Sequence, residues 1–239
     1  MKLAVMQPYF LPYFGYFQLM ASVDKFVVLD DVNYIQRGWI NRNRLLINGK
    51  AHTFTIPLSG ASQNRRICDI ELMTGPWQVK LIKKIRQNYS NAPYFKPVFE
   101  LCEKIISMKT LSLNEYLVSS LHQLTQQMGI STLIEPSSQV YKNSELKGQQ
   151  RIIDICRREY ADTYINASNG VGLYDSTFFE ASDIRLEFMR PSAIRYRQFG
   201  KPFVPNLSIL DVLMFNSPES VSDLLWGNDS LDMALQKST

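Results

Sequence analysis

The sequence contains few of the residues that build disulfide frameworks and metal centres. Its 239 residues include three cysteines and two histidines. Cys68, Cys102 and Cys156 are far apart and form no CxxC pair, which argues against a disulfide framework and against a zinc site. Two histidines are too few for a histidine-rich metal centre. We therefore predict a protein of a reducing compartment, the cytoplasm, with cysteines in its core.

Long apolar runs and a strong charge of either sign are also missing. No run approaches the roughly 18 residues of a membrane helix, and the N-terminus, with one charge before Pro8, is unlike a signal peptide. The net charge is only +4, whereas nucleic-acid binders usually carry a basic stripe. One basic cluster, Lys80 to Arg86, is interpreted as a solvated helix face. A small anionic ligand suits this charge better than a polymer does.

The chain alternates short apolar runs with amphipathic stretches. Strands are predicted at 3–6, 25–29, 52–57, 66–72, 132–134, 163–165 and 184–188. Helices are predicted at 13–22, 77–89, 97–108, 113–128, 146–158, 208–215 and 220–226. Asn48-Gly49 predicts a hairpin over 44–56, and Asn206 or Ser208 is expected to cap the helix that follows.

Strand–helix–strand order at both ends of the chain predicts an α/β fold. We expect a mostly parallel sheet with helices on both faces. The chain is predicted to be one domain over residues 1–239. The helices within about 75–130 are expected to form a helical insertion or subdomain of that domain.

The densest chemical signal is an aromatic segment, QPYFLPYFGYFQ, at residues 7–18. It follows the first predicted strand and precedes a helix, which is where α/β sheets bind ligands. Each buried tyrosine hydroxyl needs a partner, so ordinary cores rarely concentrate tyrosine in this way. We predict a pocket with Gln7, Tyr9, Tyr13 and Tyr16 facing the ligand and Gly15 opening the helix. The alternative is a packed aromatic cluster that stabilises the sheet.

A second cluster begins with two carboxylates, Asp30 and Asp31, after the second predicted strand. Such a pair can act as general base, metal ligand or hydroxyl anchor, or Asp30 can merely cap a turn. Downstream, Arg42 can hold a phosphate through a bidentate fork and Trp39 can stack on a base or sugar. Two further predicted ligand-binding residues of this cluster are Tyr34 and Asn43.

Two later polar segments complete the predicted site. Ser144 and Lys147 lie at the start of a predicted helix, where a phosphate could bind, although the segment lacks P-loop spacing and a capped surface helix is the alternative. The other segment is a glycine-bearing turn after a strand, and its candidate ligand-binding residues are Asn166, Asn169, Gly170 and Tyr174.

The segments MQPYFLPYFGYFQLM and DKFVVLDDVNYIQRGWINRNRLL resemble the WbqC-like protein family. The later RIIDIC, YINASNG and PNLSILDVLMFN segments are similar to the same family, so the resemblance covers nearly the whole chain. It implies a link to O-antigen and other surface polysaccharides, with N-acylation or aminoacylation of a nucleotide-linked amino sugar. The motif residues carried over as site candidates are Gln7, Pro8, Gly15, Tyr16, Asp30, Asp31, Trp39, Arg42 and Asn43.

The leading hypothesis is a cytoplasmic transferase that acts on a nucleotide-linked amino sugar. Arg42 and Lys147 would hold phosphates, and Asp30 or Asp31 would act as general base. No resident cofactor is predicted; the acyl donor is left open between acyl-coenzyme A and an acyl carrier, and Mg²⁺ at the aspartate pair is a weaker option. The alternatives are a non-catalytic nucleotide-sugar-binding or scaffolding protein and an RNA or aminoacyl-tRNA binder.

Overall fold

The protein is described from a computed structural model, which covers residues 1–200 and 202–226. The last residues of the predicted domain, 227–239, lie outside this part. The strands are β1 (Lys2–Met6), β2 (Lys25–Val28), β3 (Arg42–Ile47), β4 (Lys50–Thr55), β5 (Leu58–Ser59), β6 (Glu71–Leu72), β7 (Leu133–Glu135), β8 (Thr163–Ala167) and β9 (Arg185–Met189). The helices are α1 (Phe14–Ala21), α2 (Trp77–Tyr89), α3 (Phe95–Ile106), α4 (Leu113–Gln127), α5 (Gly148–Arg158), α6 (Ser176–Glu180), α7 (Ile209–Phe215) and α8 (Pro218–Trp226).

The main sheet has the strand order β7-β2-β1-β8-β9, and every neighbouring pair in it is parallel. The chain starts at the centre with β1 and builds outward through β2 and β7. It then returns to the centre and builds the other side through β8 and β9. The strand order therefore reverses between β1 and β8. In open α/β sheets, ligands bind outside the carboxyl ends of the strands at such a point.

Each face of this sheet is covered by its own set of helices. Alternate strand residues point to opposite faces, so Ala4 and Ile165 join a large core with helices α1 to α4, α7 and α8. Leu3 and Tyr164 join a smaller core on the other face with α5 and α6. The predicted α/β class, with a parallel sheet and helices on both faces, is confirmed.

The segment from α2 to α4 carries three successive helices. Each buries one side, through residues such as Ile85 in α2, Ile105 in α3 and Leu121 in α4. These residues pack in the same large core as the sheet. Gly129 follows α4 with a φ of 69°, a conformation in which glycine ends helices at low cost.

Local turn chemistry accounts for the small hairpin that follows β2. β3 and β4 pair antiparallel from Arg42↔Thr55 to Ile47↔Lys50. Asn48 and Gly49 connect them with φ values of 49° and 72°, as a type I′ turn requires. The hairpin predicted from Asn48-Gly49 is therefore present.

The strand predicted over 66–72 is wrong for most of its length. The chain forms a 3-10 turn at Ile67–Asp69, and only Glu71–Leu72 is extended as β6. The Ile67 N–H donates to the Val32 carbonyl and the Cys68 N–H to the Asp30 carbonyl. These long-range hydrogen bonds hold the segment in a 3-10 turn, although its alternating sequence pattern predicts a strand.

No helix in the described part of the chain is both long and apolar enough to span a bilayer.

Candidate functional site

A cavity of about 470 Å³ lies at the point where the strand order reverses. Met6 at the end of β1 and Ala167 at the end of β8 both line it. Seven of the predicted site residues also line it, namely Tyr9, Tyr13, Gly15, Tyr16, Trp39, Asn43 and Asn169. The structure therefore brings together the aromatic loop, the start of β3 and the turn after β8 around one space.

The loop between β1 and α1 is held in place by hydrogen bonds from β3 and from the residue before α7. Phe10 and Leu11 are fully buried, and the Asn43 amide donates to both of their carbonyl oxygens. The Ser208 hydroxyl also donates to the Leu11 carbonyl, over 2.9 Å. Tyr9 and Tyr13, on either side of this buried pair, line the cavity.

The tyrosines of the wall are neutral phenols at physiological pH. Burial raises the pKa of Tyr9, Tyr13 and Tyr16 above the ordinary tyrosine value. The Tyr16 hydroxyl donates to the Gln7 carbonyl over 2.9 Å, and its ring lies 5.4 Å from that of Tyr9. A neutral phenol offers a ring face and a hydroxyl to a ligand, and it carries no negative charge that would repel an anionic ligand.

One arginine, Arg44, also lines the cavity. Its guanidinium lies 5.4 Å from the centre of the Trp39 ring, and its Nη2 donates to the Asn206 carbonyl over 2.7 Å. Its Nε is buried and has no hydrogen-bond partner within the described residues. Trp39 is 46% exposed, so its ring is accessible for stacking.

Gly15 sits where the aromatic loop meets the chain after β9. A Cβ atom on Gly15 would lie 2.5 Å from Cε2 of Tyr13 and 2.7 Å from Cβ of Pro191. Real Cβ atoms do not come so close to other atoms. This position therefore needs glycine for close packing, although its φ is not in the left-handed region.

Asp30 and Asp31 form a separate buried cluster beyond the carboxyl end of β2. Asp30 accepts hydrogen bonds from the Ser137 hydroxyl and the Ser138 N–H. Asp31 accepts two bonds from Nη2 of Arg151, over 2.6 and 2.7 Å, and another from the Ser138 hydroxyl. Neither aspartate lines the cavity. Their catalytic role stays a prediction.

The other predicted residues lie outside the cavity wall. The Tyr34 hydroxyl donates to Oδ1 of Asn41, and Nη1 of Arg42 donates to the Arg37 carbonyl. Ligand binding by these residues, and by the rest of this group, stays a prediction; the rest are Gln7, Ser144, Lys147, Asn166, Gly170 and Tyr174.

Some of these residues lie beside the smaller core, on the face of the sheet that α5 and α6 cover. Asn166 donates to the hydroxyl of Tyr164, and the Tyr174 ring packs 5.7 Å from the Tyr164 ring. Gly170 lies directly over the Asn166 side chain. Ser144 and Lys147 precede α5, whose N-cap residue is Lys147.

The sequence favours Asn143 or Ser144 as the N-cap of the helix predicted at 146–158, but the N-cap residue of α5 is Lys147 and no side chain caps it. Asn143 does not cap the helix backbone. It accepts from Nε of Arg151 and donates to Asp154. By contrast, the predicted cap Ser208 accepts from the Leu210 N–H at the start of α7.

The wall residues that were not among the predicted site residues include Arg44, Pro191 and Asn206. A signal existed for Arg44, because it shares one face of β3 with the predicted Arg42. Pro191 and Asn206 reach the cavity only through long-range packing, and no local motif indicates them.

The wall is aromatic and amide-rich, with one cation. Among the described residues that line the cavity, none is an aspartate, glutamate, histidine or cysteine. Elsewhere in the described chain, no three such side chains are grouped as metal ligands. The arrangement suits an anionic ligand with an aromatic ring, bound by stacking on Tyr and Trp, by Arg44 and by amide hydrogen bonds.

The cysteines are poor nucleophiles. Burial raises the pKa of Cys68 and of Cys156 to about 12, and it raises the pKa of Cys102 further. All three are free thiols, and Cys102 and Cys156 are fully buried.

Comparison with known proteins gives a family match. A model of the WbqC-like protein family matches residues 7–223. The uncharacterized protein Rv1507c of Mycobacterium tuberculosis is 28% identical over 227 residues, which are 94% of this chain and 97% of that protein. No solved structure gives a significant match.

Proposed function

The chain belongs to the WbqC-like protein family, and on that premise we propose that it is a transferase of surface-polysaccharide synthesis. It would bind a nucleotide-linked amino sugar in the cytoplasm and place an acyl or aminoacyl group on the sugar nitrogen. The observation that carries the proposal is the cavity at the reversal of strand order, with its tyrosines, Trp39 and Arg44. This is the position at which open α/β sheets bind nucleotides.

The wall chemistry matches the parts of such a ligand. The exposed Trp39 ring offers a stacking surface for a base. Arg44 offers a guanidinium for the diphosphate, since its Nε has no partner in the described protein. Asn169 lines the same space, and its amide can exchange hydrogen bonds with sugar hydroxyls.

The chemical step requires little from the protein beyond positioning. The sugar nitrogen would attack the carbonyl carbon of an acyl thioester; a C–N bond forms, the C–S bond breaks, and the thiolate leaves with the bonding electrons. The nitrogen loses its proton to a base or to water. Holding the two reactants in line can supply several powers of ten in rate.

Within the aspartate pair, which lies outside the cavity wall, Asp30 is the better general-base candidate. Burial raises the pKa of Asp30, although the hydrogen bonds from Ser137 and Ser138 act in the opposite direction, whereas Asp31 is paired with Arg151. If Asp30 removes the proton, Asp30→Asn should reduce kcat about 10²- to 10⁴-fold while nucleotide-sugar binding persists. Unchanged kcat would remove Asp30 from the mechanism.

The binding test is a titration with nucleoside-diphosphate sugars. Uridine, thymidine and guanosine diphosphate sugars, with and without amino groups, are screened by thermal stability. A ligand at 100 times its Kd adds about 2.7 kcal/mol, which is readily measured. Arg44→Ala should weaken binding about 10- to 100-fold, because a hydrogen bond to a charged group is lost.

The chain offers matched controls for these variants. Arg86 also stacks on a ring, 4.8 Å from the centre of Phe99, but lies outside the cavity. Trp39→Ala removes the stacking ring and should weaken binding; its control is Trp226→Ala, since Trp226 is 51% exposed on α8, close to the 46% of Trp39. The Arg86→Ala and Trp226→Ala variants should bind nucleoside-diphosphate sugars with the affinity of the wild type. Equal losses in the control and cavity variants, or a flat panel, would contradict the proposal.

A second candidate function is a non-catalytic nucleotide-sugar-binding protein of the same pathway. It is favoured by the cavity wall, whose described residues include no carboxylate, imidazole or thiol. This reading predicts saturable binding without turnover when acyl-coenzyme A or an acyl carrier is added. Product formation by the wild-type protein would exclude it.

A further inference from the structure

A second cavity, of about 230 Å³, adjoins the first. The two cavities share four lining residues, namely Tyr13, Gly15, Pro191 and Asn206. Tyr13 and Pro191 meet over Gly15, as the close approaches to a Cβ at that position show. The two spaces are therefore neighbours on either side of one narrow wall.

The second cavity differs from the first in its chemistry. Its own walls are mainly apolar, formed by Phe14, Ala193, Ile194, Phe203, Leu207 and Val212. None of its described lining residues is charged. The hydroxyl of Tyr196, which also lines it, is engaged by Asp211 over 2.7 Å. A phosphate or a sugar would lose its hydration here without gaining a charged partner.

We propose that the second cavity binds the short, apolar acyl chain of a thioester donor, while the first cavity holds the nucleotide-linked sugar. This assignment rests on the proposed function, because it treats the two cavities as the two halves of one acyl-transfer site. The shared wall at Tyr13 is then the place where the acyl carbonyl and the sugar nitrogen meet. The size of the cavity limits the donor to short chains.

The experiment uses donor mimics that contain no nucleotide. Acetyl, butyryl and hexanoyl thioesters of N-acetylcysteamine are titrated into the full chain, and binding is followed by ligand-observed NMR. Burial of each added methylene should lower Kd about fourfold until the cavity is full. Equal affinity for the three thioesters would overturn the assignment.

Two variants change the cavity in opposite directions. Ala193 lines the cavity at an exposed position, so Ala193→Trp should fill the space and abolish the dependence on chain length. Phe203 is only partly buried, and Phe203→Ala should enlarge the space and favour the hexanoyl thioester. The control is Ala181→Trp at an exposed position outside both cavities. A chain-length dependence unchanged in both cavity variants would place acyl binding elsewhere.

The nucleotide-sugar titration separates the two proposals. Ala193→Trp should bind nucleotide sugars like the wild type, because Ala193 does not line the first cavity. If no nucleotide sugar binds but the thioesters behave as expected, the proposed function fails and the acyl site stands. If nucleotide sugars bind and the thioesters do not, the acyl site fails and the proposed function stands.

Discussion

At the scale of single residues, the neighbours Asp30 and Asp31 have different surroundings despite being adjacent. Asp31 is paired with Arg151 through two bonds from one nitrogen, and both side chains are almost fully buried. Asp30 is surrounded by hydroxyl and amide donors, and burial raises its pKa. The pair seen in the sequence is thus one structural ion pair and one carboxylate with enhanced basicity.

Removing the charge of Asp31 should destabilise the fold. Asp31→Asn leaves the Arg151 cation buried without a counter-ion, and the loss of one partner of a buried pair costs about 3–5 kcal/mol. Asp69→Asn is the matched control, since Asp69 pairs with Arg66 over 2.7 Å on an exposed surface, where such pairs contribute about 0–1 kcal/mol. Urea unfolding measures both. Similar losses would mean that Arg151 finds another partner.

The close approach at Gly15 provides a second prediction. Gly15→Ala places a methyl group against Tyr13 and Pro191, and overpacking of this kind costs about 1–3 kcal/mol. Gly172→Ala meets open space and should change stability by no more than about 0.5 kcal/mol. Thermal unfolding compares the two variants. If both are neutral, the wall between the cavities is more compliant than its geometry indicates.

At the scale of elements, the segment between β9 and α7 forms one side of both cavities. It is held by Asp211 of α7, which is fully buried. Asp211 accepts from the hydroxyls of Tyr196 and Tyr89 and from the amide of Gln198. One carboxylate therefore connects this segment to α2. Pro191 and Asn206 are held in the cavity wall without a regular element of their own.

The pH dependence of stability should report on Asp211. Burial raises its pKa more than its three hydrogen bonds lower it. The native state therefore holds this proton at pH values where the unfolded chain, near 3.8, has lost it. The contribution of Asp211 to stability is then full below that value and declines as pH rises through the native pKa.

The measurement is the difference in unfolding free energy between wild type and Asp211→Asn across pH. The advantage of the wild type should be greatest in acid and fall with rising pH. Asp183→Asn, at an exposed position, is the control for the loss of a carboxylate. A wild-type advantage that grows with rising pH would contradict the raised pKa of Asp211.

Elements with strong local signals were predictable, and elements held by distant contacts were not. The periodicity of α2 gave its bounds, and Asn48-Gly49 gave the hairpin. The alternating pattern at 66–72 failed, because bonds from Ile67 and Cys68 to the chain after β2 replace strand pairing there. Local patterns carry no information about such partners.

The same distinction applies to the cavity. The aromatic loop was identifiable because tyrosine is rarely so dense in an ordinary core. Its long-range wall, Pro191 and Asn206, has no counterpart in local spacing. Arg42 and Arg44 lie on the same face of β3, so strand alternation does not separate the predicted Arg42 from Arg44; in the structure it is Arg44 that lies beside the Trp39 ring.

At the scale of the whole molecule, β1 belongs to both cores. Ala4 packs in the large core and Leu3 and Val5 in the small one. β1 also pairs with strands on both sides. The sheet centre should therefore open only when the whole molecule unfolds.

Native-state hydrogen exchange tests this expectation. Amides of β1 should exchange at the rate of global unfolding, and those of β4, whose residues are exposed except Phe54, should exchange faster. A nucleotide sugar at 100 times its Kd should slow β1 exchange about 100-fold. If β1 exchanges as fast as β4, the two cores unfold independently.

The bond from Ser208 to Leu11 has a consequence for protein synthesis. It joins residues 197 positions apart and holds the loop that forms the cavity wall. The edge of β1 that pairs with β8 likewise stays unpaired until β8 has been synthesised. The ribosome synthesises the aromatic loop well before Ser208, which holds it. A nascent chain that ends before Asn206 therefore lacks a complete cavity, and a ligand of this cavity can stabilise the protein only after Asn206 has been synthesised.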